Sequence, residues 1–395
     1  MYIILAPDSY KDALSASEAV GAIADGTHRA LPSAECDACP MGDGGEGTLD
    51  ALIVATGAER RYQMVQGPLG QLRQAVWGWH PINCTAYIEL AEACGLQHLA
   101  PLERTALHSS THGVGELIIA ALDAGAKRII LMLGGSATND AGAGMLQALG
   151  ARLLDDQERP LPPGGAALIN LAQVELDGLD SRLSEVIVET AVDVDNPLVG
   201  EHGASVVFGP QKGASEEDVI ILDAAIAHFA DKVAETLGED FRELPGSGAA
   251  GGMGFAAHTF LRAELRPGIE LVMAQLGFRQ RLERADLVIT GEGRLDGQSM
   301  AGKTPIGIAR CAQEMGVPVV VLAGSLGEGW QLSYNEGVTA ALALADGPLA
   351  LDEALLRCAE LLSDRAESVV RLFYSVSPRL LPNGDGMQRK PAHPS

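Results

Sequence analysis

Aromatic residues make up only 4% of this chain, and Lys plus Arg number 28 against 52 acids. The resulting net charge of −24 excludes nonspecific attraction to nucleic acid or to anionic membranes, because the summed field repels phosphates. No apolar run is long enough to cross a bilayer. The opening Met1-Tyr-Ile-Ile-Leu-Ala has no basic segment before it, so it reads as a short strand and not as a secretory leader. The expected compartment is the cytoplasm. Cysteines are few and scattered, six in all. Cys36-Asp-Ala-Cys39 is a lone C-x-x-C on an expected strand, where the two side chains tend toward different faces, so the pair reads as reduced thiols. No internal repeat is visible.

Glycine, by contrast, is abundant, with 47 residues in a chain of 395. That length accommodates two domains with large cores, and the composition suits an α/β enzyme with glycine-rich loops. Four segments carry the excess: 42–47, 134–144, 246–254 and 290–305. The last reads T-G-E-G-R-L-D-G-Q-S-M-A-G-K-T-P and directly follows the apolar Leu287-Val-Ile289. A permissive backbone with mixed charge at a strand's carboxyl end is where α/β folds bind small anions. An acidic protein that binds anions must gather its few cations locally. Lys11, Lys212, Arg294 and Lys303 each stand beside a glycine loop or strand end.

Gly297-Gln-Ser-Met-Ala-Gly-Lys-Thr304 satisfies the Walker A pattern, but its context does not. Six residues, 291–296, separate it from the strand, and little chain remains beyond it. The segment reads instead as a loop that opens a helix, with Pro305 near its first position and Lys303 at the helix N-terminus.

Strand and helix patterns alternate at both ends of the chain. Strands are predicted at 2–6, 34–39, 287–289, 317–322 and 338–344, with helices after Ser15-Ala-Ser-Glu18 (a capping box), from Thr48, at 306–315 and at 351–373. Such alternation implies parallel sheets with ligands at the strand ends. The middle, from about 85 to 268, has a different texture: strands at 87–90, 129–133 and 186–192, a helix at 142–149 and a long helix at 216–237. From 375 onward Pro, Arg and Gly dominate and periodicity vanishes, so residues 375–395 read as a disordered tail.

Seven segments in fixed order resemble one family, the bacterial glycerate kinases unrelated to P-loop kinases. They are Ala6-Pro-Asp-Ser-Tyr-Lys11, Gly42-Asp-Gly-Gly-Glu-Gly-Thr48, Gly134-Gly-Ser-Ala-Thr-Asn-Asp140, Asp193-Val-Asp-Asn-Pro-Leu198, Phe208-Gly-Pro-Gln-Lys-Gly213, Gly248-Ala-Ala-Gly-Gly252 and the segment 290–305. Asp12 and Ala141 stand where many members would have glycine. The resemblance implies ATP-dependent phosphorylation of D-glycerate, giving 2-phosphoglycerate in most members. A 3-phosphoglycerate product, a related hydroxy acid, or a non-catalytic ligand-binding relative stay open. It also implies two α/β domains: a discontinuous flavodoxin-like domain with a parallel sheet, residues 1–84 plus 269–374, and an inserted α/β domain, residues 85–268. Expected partners are the small molecules glycerate and ATP, with no nucleic acid and no membrane. Assembly into a homo-oligomer stays open.

Phosphoryl transfer needs charge neutralisation, in-line positioning and a base at the attacking hydroxyl. Within the resemblance, Asp193 is expected as that base, with Lys11 and Arg294 on the glycerate carboxylate or the moving phosphoryl group. Asp8, Ser9, Gly44 and Glu292 are expected at the substrate. The nucleotide is expected on Gly134, Gly135, Ser136, Asn139, Asp140, Gly251 and Gly252, whose backbone N–H groups could turn to phosphates. Asp43, Glu46, Glu292 and Asp296 form an acidic set, of which Asp43 and Asp296 are the expected Mg²⁺ ligands. His108 and His112 have a zinc-like spacing but lack the acid and third ligand of a zinc site.

Overall fold

The structure is a computed structural model and describes residues 1–376. Five parallel strands form its first sheet, in spatial order Ala340–Ala343, Val319–Leu326, Leu287–Leu295, Tyr2–Leu5 and Glu35–Ala38. Counted along the chain this is the flavodoxin-like order, and its switch point lies between Tyr2–Leu5 and Leu287–Leu295. Ile3, Ile4, Leu5, Leu287, Val288 and Ile289 are fully buried, as a parallel sheet covered on both faces requires. The helix Ala16–Ala30 starts at the anticipated capping box: Ser15 Oγ accepts from the Glu18 N–H while Glu18 accepts from the Ser15 N–H. It lies against the helix Cys358–Val376 so closely that a Cβ on Gly26 would stand 1.9 Å from the Ser363 carbonyl oxygen.

Everything between Glu35–Ala38 and Leu287–Leu295 is inserted between the second and third strands of that sheet. Its core is a six-stranded sheet in the order Glu264–Arg266, Ile187–Ala191, Arg128–Met132, Thr85–Glu89, Leu72–His80 and Glu59–Gln66. The first four are parallel and the last two form an antiparallel hairpin. The predicted long helix is present at Glu216–Leu237, with Ser215 and Asp218 as a second capping box and Gly238 closing it at φ 79°. Tyr87, Ile130 and Met132 of the second sheet share one apolar cluster with Ile4, Leu52, Ile269 and Val288, so the two sheets are joined through a common core.

Three features differ from the sequence reading. The hairpin Glu59–Gln66 and Leu72–His80 was not foreseen, because Glu59-Arg-Arg-Tyr-Gln-Met is exposed along most of its length and shows no apolar alternation. It belongs to the second sheet, so sheet membership changes near Gly57, not at 84. The strand Leu287–Leu295 runs through half of the glycine motif that was read as a loop, pairing Gly291 with Leu322 and Arg294 with Ser325. Glycine permits this, since a Cβ on Gly291 would lie 2.1 Å from both the Leu322 carbonyl oxygen and the Tyr10 hydroxyl. The final helix is two, Leu351–Leu356 and Cys358–Val376. The expected tail, apart from residues 375 and 376 at the end of that helix, lies outside the described residues.

Candidate active site

Strand ends from both sheets converge on two cavities that share Asp43. The smaller, about 210 Å³, is lined by the turn after Glu35–Ala38 (Asp43, Gly44), the turn after Arg128–Met132 (Gly134, Gly135, Ser136), the segment after Ile187–Ala191 (Asp193) and Lys212. The larger, about 530 Å³, is lined by the polar Asp8, Ser9, Lys11, Glu292, Arg294 and Lys303 and by the apolar Leu344, Leu351, Leu355 and Leu361. Asp8 and Glu292 flank the switch point of the first sheet, the position where open α/β sheets take ligands.

The junction is close-packed. Gly134 N–H donates to the Gly44 carbonyl at 3.1 Å, and a Cβ on Gly134 would stand 2.5 Å from the Gly45 Cα. Gly44 itself has φ 92°, and a Cβ there would stand 2.7 Å from the Ala191 Cβ. Asp193 Oδ1 accepts from the Gly268 N–H at 2.9 Å.

Carboxylates dominate the junction, and burial first, then their mutual repulsion, raises their pKa values. Asp193 opens onto the small cavity, but the surrounding protein walls and then the Asp43 carboxylate push it up to about 7, against the pull of the Gly268 N–H. Burial and Asp43 likewise raise Asp8 to about 7, although Asp8 accepts from Thr304 Oγ1 at 2.6 Å. Glu292 is raised to about 7 by burial, while the Ser299 hydroxyl, 2.7 Å away, and Lys303 pull it back. Acids held near neutrality by burial and like charge mark a site built for proton transfer or cation binding. Among the described residues no three acidic, cysteine or histidine side chains converge tightly enough to hold a metal unaided.

Several expected site residues are turned elsewhere. Asp296 accepts from Arg294 Nε at 2.9 Å and from the Gln298 N–H at 3.0 Å, so its carboxylate closes its own loop. Asp140 is 1% exposed and is surrounded by donors: the Thr111 N–H and hydroxyl and the N–H groups of Gly142 and Gly144. It braces the Gly134 loop from behind. Asn139 is fully buried and donates to Ser205 Oγ. Gly251 and Gly252, at φ 69° and 92°, pack against Thr138 and Ala141, where a Cβ would collide at 2.1 and 2.7 Å. None of these lines either cavity. Their glycines serve close backbone approach, and Ala249 and Ala250 are the members of that run that reach the small cavity.

The Walker-like segment is also accounted for. The N–H groups of Gly297, Gln298, Ser299, Gly302 and Lys303 all bond within the protein, to Glu328, Asp296 and Ser299. A phosphate cradle needs those groups free. Lys303 instead begins the helix Thr304–Glu314, with Pro305 in its first turn, and borders the large cavity. Sequence reasoning singled out Lys303 and Lys212 as cations but gave neither a role at the site. His108 and His112 form no metal cluster among the described residues.

The comparisons agree with this architecture. A family model described as the glycerate kinase family matches residues 3–374. The glycerate kinase of Bacillus subtilis is 48% identical over 370 residues, 93% of this chain and 97% of that protein. The glycerate 2-kinase of Escherichia coli is 46% identical over 354 residues, 90% of this chain and 93% of that protein. A crystal structure from Salmonella typhimurium, described as a candidate glycerate kinase 2, superposes with a TM-score of 0.86 at 44% identity and covers 95% of this chain and 98% of its own. With its fold, its seven ordered motifs and its full-length relatives in agreement, the chain belongs to the glycerate kinase family, and it is an enzyme of that family.

Proposed function

We propose that the protein transfers the γ-phosphoryl group of ATP to the 2-hydroxyl of D-glycerate, with the acceptor in the small cavity and the nucleotide in the large one. The observation that carries this reading is Asp193 in a small cavity that meets a larger, cation-bordered cavity at Asp43. Size favours the division: about 530 Å³ lies in the range of sites for drug-sized ligands, and about 210 Å³ suits a three-carbon acid. So does the lining. Leu344, Leu351, Leu355 and Leu361 offer an apolar wall to a base, and Lys11, Arg294 and Lys303 offer charge to a triphosphate. This moves Gly134, Gly135 and Ser136 from the nucleotide to the acceptor side.

In the reaction, the glycerate hydroxyl oxygen attacks the γ-phosphorus. Its proton passes to the Asp193 carboxylate, the bond to the β–γ bridging oxygen breaks, and ADP leaves. A base raised to about 7 is about half ionised at neutral pH and basic enough to accept a proton. The Gly268 N–H holds one carboxylate oxygen and fixes the group's direction. Lys303 and Arg294 stand where charge develops on the departing phosphate, which is the main source of rate in phosphoryl transfer.

Mg²⁺ fits the donor set, because Asp8 and Asp43 repel each other across the junction and Mg²⁺ takes one or two carboxylates together with nucleotide phosphates. Asp43 and Asp8 would hold it, where it would neutralise phosphate charge. Asp296 is not retained in that role.

Incubation with ATP, Mg²⁺ and a panel of hydroxy acids, with products identified by phosphorus NMR, tests the reading. Glycerate-dependent ADP formation with 2-phosphoglycerate as product is expected. ATP turnover that ignores glycerate, or is indifferent to a chelator, would overturn it.

A further inference from the structure

Lys212 is a cation in an unusual position. It is 1% exposed, at the end of the short helical turn Pro210–Lys212. Its Nζ donates to Ser136 Oγ at 2.8 Å and to the Thr138 carbonyl at 2.7 Å, both neutral acceptors. Among the described residues no carboxylate forms an ion pair with it. Asp140, the charged group behind it, has its oxygens occupied by N–H and hydroxyl donors. A buried ammonium without a counter-ion is costly, so a fold that keeps one gains something from it elsewhere.

Lys212 borders the small cavity, and so do Gly134, Gly135 and Ser136, the last of which accepts from Nζ. Gly135 has φ 73°, and among the described residues neither its N–H nor that of Ser136 has a backbone acceptor. The lining thus combines a buried positive charge and unpaired backbone donors with two carboxylates, Asp43 and Asp193. Such polarity suits a ligand with an anionic end and a hydroxyl end.

We infer that Lys212, with the Gly135 and Ser136 backbone, anchors the carboxylate of the acceptor and thereby turns its hydroxyl toward Asp193. The inference rests on the assignment of glycerate to the small cavity. Burial lowers the Lys212 pKa to about 8, opposed by the Cys94 thiol and the Asp140 carboxylate, so the group is mainly charged at neutral pH and ready for an anion. Lys212 is therefore a specificity determinant: it separates hydroxy acids from neutral polyols of the same size.

Steady-state kinetics on Lys212→Met and Lys212→Arg test it. Lys212→Met raises KM for D-glycerate by at least about thirtyfold, the lower range for truncating a buried charged partner, and leaves KM for ATP within about threefold. It also narrows the preference of the enzyme for glycerate over glycerol, which keeps the hydroxyls and lacks the carboxylate. Lys212→Arg restores part of the lost glycerate affinity. An unchanged KM for glycerate, or a loss confined to ATP, overturns the inference, the second by placing a nucleotide phosphate on Lys212. A crystal structure of the wild-type enzyme with D-glycerate is the check independent of any variant's folding: a carboxylate oxygen within hydrogen-bond reach of Nζ supports the assignment, and a carboxylate elsewhere refutes it. Wild-type enzyme that fails to phosphorylate glycerate at all sinks the underlying functional reading, whereas a fully active wild type with an indifferent Lys212→Met sinks the anchor alone.

Discussion

Gly268 and Asp193 meet through one hydrogen bond, N–H to Oδ1 at 2.9 Å, and a Cβ on Gly268 would lie 1.7 Å from the Asp43 carbonyl oxygen. One glycine therefore touches both the proposed base and the acid shared by the two cavities. Gly268→Ala should lower kcat by roughly a hundredfold, the scale of an ångström-sized misplacement at a reacting centre. Asp193→Asn should lower kcat by at least about a hundredfold with little effect on KM for ATP. Asp195→Asn is the control. If Asp195→Asn is dead while Asp193→Asn turns over normally, the base has been assigned to the wrong acid.

Activity and stability should respond to pH in opposite senses. Asp8, Asp193 and Glu292 are each raised to about 7. Catalysis needs the ionised base, so kcat/KM should fall as pH drops through about 7. The folded protein binds more protons than the unfolded chain between the ordinary carboxylate value near 4 and about 7, so the ligand-free enzyme should grow more stable as pH falls across that window. Thermal melting from pH 8 to 5 checks this; a melting temperature that drops steadily with acidification would contradict it.

Lys303 offsets the rise of both Asp193 and Glu292. Lys303→Met should therefore shift the acid limb of the pH–rate profile to higher pH, in addition to weakening ATP. A true Walker lysine would cost rate without moving that limb. A complex with an ATP analogue should show no phosphate wrapped by the 297–304 loop, because five of that loop's N–H groups are already engaged.

Ala141 is fully buried at φ 49°, a conformation that favours glycine. Ala141→Gly should leave stability within about 1 kcal/mol of wild type, with relief of backbone strain set against greater freedom of the unfolded chain. Ala141→Val should cost at least about 2 kcal/mol, since a branched Cβ is added where Gly252 already packs against Ala141. Urea denaturation measures both.

The sequence made the alternating halves legible because most of their strands are continuous apolar runs, Glu35–Ala38 excepted. The long helix at 216–237 was readable too, with its capping box in front and Gly238 behind. Joining the two halves into one sheet required the family resemblance, since local periodicity carries no information about a partner hundreds of residues away. At the site, residues on strand ends that the sequence singled out border the cavities: Asp8, Asp43, Asp193, Glu292 and Arg294. Several in glycine runs do not, Asp140, Gly251 and Gly252 among them. Asp140 and Gly252 look like ligand residues in sequence, because a brace behind a loop and a donor in front of it have the same composition. Lys212 was visible as a cation, but only its burial and neutral partners reveal its isolation.

The insertion between the second and third strands also governs how the chain is made. Tyr2–Leu5 lies inside its sheet, and the Tyr2 N–H bonds the Asp286 carboxylate across 284 residues. During translation at about 5–20 residues per second, that strand waits roughly fifteen to sixty seconds for its second neighbour. The inserted sheet has all six of its strands once Arg266 has emerged, before the first sheet can close. Nascent molecules therefore pass through a stage with one finished half and one apolar strand edge still uncovered, the stage at which chaperones have the most to shield.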